Sequence, residues 1–260
     1  MTETTAIILA AGRGVRMGPR GQLSPKGLLR FEAGKPFVEE SIETLRARGI
    51  GPVHIVTGHL TEMYEAAAAT WPQPIKICFN ERYADLGTLH SLLVGLDGLE
   101  GDCVLVESDI VYEPRTLDPI RPGTCGLILS QLTGSGDEVY CWTEERGPGH
   151  HQMLELSKFR DRRPGPYHGE WVCICYLSAA AIARIREIGP AMVAAEPKID
   201  HERALERVAR EMDFFCDRIE GLAWSEADDE IMYERVRTTV YPLIVAARKA
   251  RAGQEPALSS

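Results

Sequence analysis

Four mostly apolar runs punctuate the first half of the chain, at 6–10, 53–57, 103–106 and 125–129. Runs without a polar face predict strands buried on both sides, as in a parallel sheet covered by helices. Between them the period changes. Val38, Ile42 and Leu45 recur at i, i+4 and i+7, with Pro36 ahead and Gly49 behind. That spacing predicts a helix with a proline start and a glycine stop. Residues 61–70 and 89–96 predict two more. Strand and helix in repeated alternation predict an α/β fold with right-handed crossovers.

The second half is less regular. Residues 138–142, 153–156 and 171–176 predict strands, the first two joined by a turn at 147–151. The polar stretch 160–166, with Pro164, Gly165 and Pro166, predicts a mobile loop. Helices are expected at 178–188, at 199–210 and from about Asp229, where Pro242 kinks or restarts the last one. No repeat and no linker interrupts the pattern. A single domain over residues 1–250 is expected, with a flexible tail at 251–260.

Composition narrows the class. Of 260 residues 44% are hydrophobic and 26% charged, the values of a globular chain. No apolar run reaches the ~18 residues of a membrane span. The first residues lack a basic segment, so a secretory signal is not expected and the cytoplasm is the expected location. The formal net charge of −9 disfavours nucleic acid and anionic membranes as general partners. Seven cysteines, most in apolar runs, read as buried free thiols.

Chemistry concentrates behind the first strand, in Leu9-Ala10-Ala11-Gly12-Arg13-Gly14-Val15-Arg16-Met17-Gly18 and on to Pro25-Lys26. A glycine-rich turn at the carboxyl edge of a sheet lies where ligands bind in such folds. Its small residues let backbone N–H groups approach phosphate oxygens. Arg13, Arg16 and Lys26 add positive charge. The third glycine of a dinucleotide fingerprint is replaced by Met17, and no phosphate-binding loop ending in Gly-Lys-Ser/Thr is present. Pro19 and Pro25 predict that no helix starts directly behind the loop.

This segment resembles the signature of nucleotidyltransferases with the sugar-nucleotide pyrophosphorylase fold: L-A-A-G-x-G-x-R-M, then P-K about ten residues later. Further elements follow in the order of that family. They are Val56-Thr57-Gly58-His59, Asn80 to Tyr83 with Ser91-Leu92, Glu107-Ser108-Asp109, Ser135-Gly136-Asp137-Glu138-Val139, Leu156-Ser157-Lys158, Gly169-Glu170-Trp171-Val172, Asp200-His201-Glu202 and Trp224-Ser225-Glu226-Ala227-Asp228. The order is similar to the branch of phosphocholine and 2-aminoethylphosphonate cytidylyltransferases, most of all the phosphonate enzymes. Gly87-Thr88 departs from the asparagine pair of the choline-phosphate members. The resemblance implies a mostly parallel central sheet with helices on both faces, Rossmann-like, plus a small β-rich acceptor portion. Residues 1–130 would form the nucleotide half and 131–250 the acceptor half.

The implied reaction joins two anions, CTP and a small phosphonate such as 2-aminoethyl- or 2-hydroxyethylphosphonate, or a phosphomonoester, so cations must do the work. An ionised phosphonate needs no general base. The resemblance assigns Arg16 and Lys26 to the triphosphate and Lys158 to the acceptor's phosphonate. It places Leu9, Ala10, Ala11, Gly12, Gly14, Gly58, Gly87, Thr88, Ser91 and Asp109 around the nucleotide, with Gly87, Thr88 and Ser91 near the cytosine edge. Glu170, Asp200 and Glu202 would line the acceptor pocket. Asp109 and Asp228 would hold Mg²⁺, with Glu226 and Asp229 as competitors for the second place. Phosphocholine or sugar-1-phosphate transfer, a catalytically dead relative and a homodimer all stay open. His150, His151 and His201 have no third ligand at fixed spacing, so no histidine metal site is expected. In a plain strand Trp171 and Tyr176 fall on opposite faces, which predicts no joint aromatic cage.

Overall fold

The computed structural model describes residues 3–31 and 34–252. Of the expected tail, Arg251 and Ala252 belong to the last helix, and 253–260 lie outside the described residues.

The strands are β1 (Thr5–Ala10), β2 (Val53–Thr57), β3 (Ile75–Phe79), β4 (Cys103–Glu107), β5 (Ile110–Tyr112), β6 (Gly126–Ser130), β7 (Tyr140–Gly147), β8 (His150–Ser157), β9 (Gly169–Leu177), β10 (Phe215–Ile219) and β11 (Trp224–Glu226). The α-helices are α1 (Gly18–Leu23), α2 (Phe37–Ala47), α3 (Thr61–Ala68), α4 (Thr88–Leu96), α5 (Ala179–Ala195), α6 (His201–Ala209), α7 (Glu230–Arg235) and α8 (Tyr241–Ala252). No helix among the described residues is long and apolar enough to cross a membrane. All seven cysteines are buried and free.

One nine-stranded sheet runs in the order β3-β2-β1-β4-β9-β6-β10-β8-β7. Its first four strands are parallel, and it becomes mixed where β9 enters antiparallel between β4 and β6. β1, β2, β6 and β9 are buried at every residue, so layers cover the sheet on both sides. β9 comes from the second half of the chain, so both halves share one sheet and one core. β5 and β11 form a separate two-stranded ribbon.

Four expectations change. Pro19 does not prevent a helix behind the glycine loop. It sits in the first turn of α1, where its missing N–H has no intrahelical partner to lose. α5 runs through Pro190 to Ala195, because the residues beyond are good helix formers. Before Pro242 the last helix widens into a π-turn at Val236–Val240 and then continues as α8. Finally, β9 does not alternate plainly. Cys173 has a left-handed φ of 58°, and the pairing with β6 slips between Leu127 and Leu129. Trp171 and Tyr176 still meet different neighbours. Trp171 packs against His201, while the Tyr176 hydroxyl donates to Asp217 at 2.7 Å.

Candidate functional site

β1 and β4 are parallel neighbours that end together, Leu9 opposite Glu107. The glycine loop and the Ser108-Asp109 turn therefore leave the sheet side by side, tied by Ser108 N–H donating to Leu9 O at 3.1 Å. Lys26 reaches this edge because Gly27 lets the chain close on it. A Cβ there would stand 2.5 Å from Val38 Cγ2 and 3.0 Å from Ser108 Cβ. β11 pairs with β5 through Glu226 opposite Ile110, and Ala227 N–H donates to Asp109 O at 2.9 Å. That pairing delivers Asp228, from the far end of the chain, to Asp109. Asp229, the sequence competitor, faces elsewhere and caps α7 by accepting from Met232 N–H at 2.7 Å.

The charged side chains form one network. Lys26 Nζ donates to Asp109 Oδ2 at 2.9 Å and also to Asp228 Oδ1. Arg16 bridges Asp228 Oδ2 at 2.6 Å and Asp137 Oδ2 at 2.7 Å. Lys158 Nζ closes the chain on Asp137 Oδ1 at 2.8 Å. These groups stand in or beside a cavity of about 440 Å³.

Most residues singled out in the sequence line that cavity. Leu9, Ala10, Ala11, Gly12, Gly14, Arg16 and Lys26 form one wall with Asp109 and Asp228. Gly87, Thr88, Ser91, Lys158, Asp200 and Glu202 complete it. Two residues are not brought into the lining. Gly58 packs behind it, where a Cβ would lie 2.5 Å from the Tyr83 side chain and 2.8 Å from Ala11 O. Glu170 is buried and its carboxylate accepts from Thr133, N–H and hydroxyl both, so it braces the loop before β7.

Acids outnumber cations in the lining. Glu107, Asp109, Asp200, Glu202, Glu226 and Asp228 face Arg16, Lys26, Lys158 and Lys198. Burial would lower the Lys26 pKa, but the Asp109 and Asp228 charges outweigh it and hold the ammonium protonated. Burial would raise Asp109, and Lys26 instead keeps it below the usual range. For Glu226 the nearby Lys158 charge is outweighed. Burial, then repulsion from Asp109 and Asp228, pushes its carboxyl up to about 8, and it accepts from the Cys173 thiol at 2.9 Å. Burial and the same neighbours raise Glu107 well above the carboxylate range. Carboxylate oxygens of Asp137, Glu226 and Asp228 all lie within 4.8 Å of one another. Three crowded hard oxygen donors fit a divalent cation such as Mg²⁺.

Sequence reasoning gave no role to Glu107, Asp137 or His201. Asp137 follows Gly136 in the loop before β7, and its contacts with Arg16 and Lys158 bring it into the network. His201 is 1% exposed, with Nδ1 3.0 Å from the Thr88 hydroxyl, Nε2 3.7 Å from Glu107 Oε1, and the Nε2 atom without a hydrogen-bond partner. No spacing rule places it there.

Residues 6–189 match the model of the MobA-like NTP transferase domain. The chain belongs to this nucleotidyltransferase family. It is 32% identical over 108 residues to a choline-phosphate cytidylyltransferase of Streptococcus pneumoniae, covering 42% of this chain and 46% of that protein. It is 29% identical over 140 residues to a 2-aminoethylphosphonate cytidylyltransferase of Lancefieldella rimae, covering 53% and 56%. The chain thus spans about half the length of these curated relatives. Among solved structures, the inositol-1-phosphate CTP transferase from T. maritima superposes with a TM-score of 0.78 at 16% identity, covering 96% of this chain and 98% of that one. The CTP:phosphocholine cytidylyltransferase from Streptococcus pneumoniae gives 0.73 at 19%, covering 91% and 98%. Both likenesses concern the fold.

Proposed function

We propose that this chain is a CTP-dependent cytidylyltransferase that transfers CMP to a small phosphonate and releases pyrophosphate. The observation that carries the reading is the charged chain Lys158–Asp137–Arg16–Asp228–Lys26–Asp109, laid along a cavity whose floor is the glycine loop. Such an array suits a reaction between two anions, which needs alignment and charge neutralisation more than proton transfer. The cytidylyltransferase relatives support CTP as the donor.

In this reaction a phosphonate oxygen attacks the α-phosphorus. The new P–O bond forms as the bond to the β-phosphate bridging oxygen breaks, and that oxygen leaves with pyrophosphate. Arg16 and Lys26 neutralise the triphosphate, and backbone N–H groups of residues 10–14 supply further donors. Lys158, on the acceptor side, orients the phosphonate. Asp228, with Glu226 and Asp137 grouped around it and Asp109 linked to it through Lys26, would hold Mg²⁺, whose charge would polarise the phosphate oxygens. No side chain is assigned as general base. The aromatic residues of the lining are Tyr64, which is buried, and Tyr83. Trp171, 1% exposed, stands behind His201 and offers no open aromatic face for a quaternary ammonium.

The test is a pyrophosphate-release screen in Mg²⁺. CTP, UTP, ATP and GTP are each paired with aminoethylphosphonate, hydroxyethylphosphonate, phosphocholine and glucose 1-phosphate. The proposal expects release with CTP and a phosphonate. A preference for phosphocholine, turnover only with a sugar phosphate, or turnover with no pair at all rejects it.

A further inference from the structure

The segment after β3 and the segment before α6 are joined along a seam of hydrogen bonds. Gly87 N–H donates to Pro197 O at 2.8 Å, Leu89 N–H to Ile199 O at 3.3 Å, and Lys198 Nζ to Ala84 O at 2.6 Å. The fit is too close for a side chain at 87, since a Cβ would lie 2.2 Å from Ile199 O. Thr88 stands at the centre. Its hydroxyl accepts from His201 N–H at 2.9 Å, meets His201 Nδ1 at 3.0 Å and donates to Asp200 Oδ1 at 3.3 Å. Whichever ring nitrogen of His201 carries the proton, every close polar contact of this hydroxyl is with Asp200 or His201. Ser91 is engaged too, its hydroxyl accepting from Asn80 Nδ2 at 3.0 Å.

What Thr88 fixes lies beside it in the lining of the cleft. Asp200, His201 and Glu202 follow one another in its lining, and the buried His201 ring turns its free Nε2 toward Glu107. A residue that anchors both Asp200 and His201 sets the shape of that wall. Because it sits at the start of α4, it ties the wall to the nucleotide half.

We propose that Thr88 is a positioning residue for the acceptor wall, acting through Asp200 and His201, and not a reader of the cytosine edge. The proposal rests on the cytidylyl transfer inferred above. Its test compares Thr88→Val, which keeps the shape and removes the hydroxyl, with Thr88→Ser, which keeps the hydroxyl. In Thr88→Val the acceptor KM should rise about tenfold, the effect of losing roughly one well-made hydrogen-bond network. The Kd for CTP, measured by calorimetry without acceptor, and the CTP over UTP preference should not move. Thr88→Ser should restore the acceptor KM. A weakened CTP Kd, a collapsed CTP over UTP preference or an unchanged acceptor KM overturns the proposal. A wild-type protein that turns over no acceptor rejects the transfer reaction instead. The seam is then judged by amide hydrogen exchange at residues 198–202: faster exchange in Thr88→Val supports it, and unchanged exchange sinks it.

Discussion

Replacing Lys26 by Met tests the centre of the site most directly. The ammonium stands between Asp109 and Asp228, whose side chains are 16% and 5% exposed. Met keeps the length and removes the charge, leaving two acids facing each other in a largely dry setting. Removing one partner of a buried pair costs about 3–5 kcal/mol. A domain with about 5–15 kcal/mol of stability survives that loss. The urea midpoint at pH 8 in EDTA should therefore fall sharply relative to wild type. Mg²⁺ should restore much of it. An ion at 100 times its Kd stabilises by about 2.7 kcal/mol, and the variant no longer has an ammonium competing for the same carboxylates. Wild type should gain less from the same Mg²⁺. Turnover of the variant should drop by at least ~100-fold with every acceptor, the scale of one well-placed electrostatic group. An EDTA midpoint equal to wild type, or equal Mg²⁺ stabilisation of both proteins, would refute the reasoning.

Three further outcomes follow from the same geometry. Gly58→Ala places a Cβ against Tyr83 and Ala11, so it should cost about 1–3 kcal/mol through overpacking and raise the KM for CTP, and an unchanged KM with normal stability would contradict the packing role. Asp229→Ala should lose about 1 kcal/mol as an N-cap yet keep its Mg²⁺ dependence, whereas Asp228→Asn should lose activity at any Mg²⁺ concentration; the reverse pattern would exchange their roles. Burial raises the Glu170 carboxyl to about 7, despite the opposing Thr133 bonds. Its folded pKa exceeds the ordinary 4.5, so the native state binds the extra proton and stability falls as pH rises from about 4.5 to 7, by about 3 kcal/mol in all. Glu170→Gln should remove that component, measured as the difference in urea midpoint between pH 5 and pH 8, and an identical difference in both proteins would exclude it.

The legible parts of the fold were those where one stretch of chain carries its own reason. β1, β2 and β4 are mostly apolar runs because both sides are covered, and the helices between them show their apolar stripe. β3 was not legible. It is an edge strand, Lys76 breaks its apolar run, and most of its residues, Phe79 among them, are not buried. β10, with Asp217 and Arg218 in its middle, hides because partners elsewhere satisfy those charges, Arg121 for Asp217 and the His168 carbonyl for Arg218. The left-handed Cys173 has no sequence sign at all, since only the packing around β9 imposes it. The site divides in the same way. The glycine loop and Lys26 announce themselves locally. Asp228 was named from its motif, and the register of β11 on β5 supplies the physical reason Asp229 faces elsewhere, whereas the part Asp137 plays is visible only in its contacts with Arg16 and Lys158.

That division has an electrostatic consequence. Arg16, Lys26 and Asp109 come from the first half of the chain, Asp137, Lys158 and Asp228 from the second, and the bonds between them cross the cleft. Every cation in the network is committed to at least one carboxylate, and acids remain in excess. Two anionic substrates therefore cannot be held by charges standing ready. The carboxylates must turn to another cation before Arg16, Lys26 and Lys158 can turn to phosphate. Under the proposed reaction, binding of the metal-loaded triphosphate reorganises Arg16, and Arg16 shares Asp137 with Lys158. Occupation of the nucleotide side thus changes the partner available to the lysine on the acceptor side. Charges in contact couple strongly, whereas sites more than about 7–10 Å apart with no shared partners add independently. Arg16→Lys and Lys158→Arg should accordingly be non-additive in acceptor KM, although no bond joins the two side chains. Strict additivity would mean that Asp137 carries no such exchange.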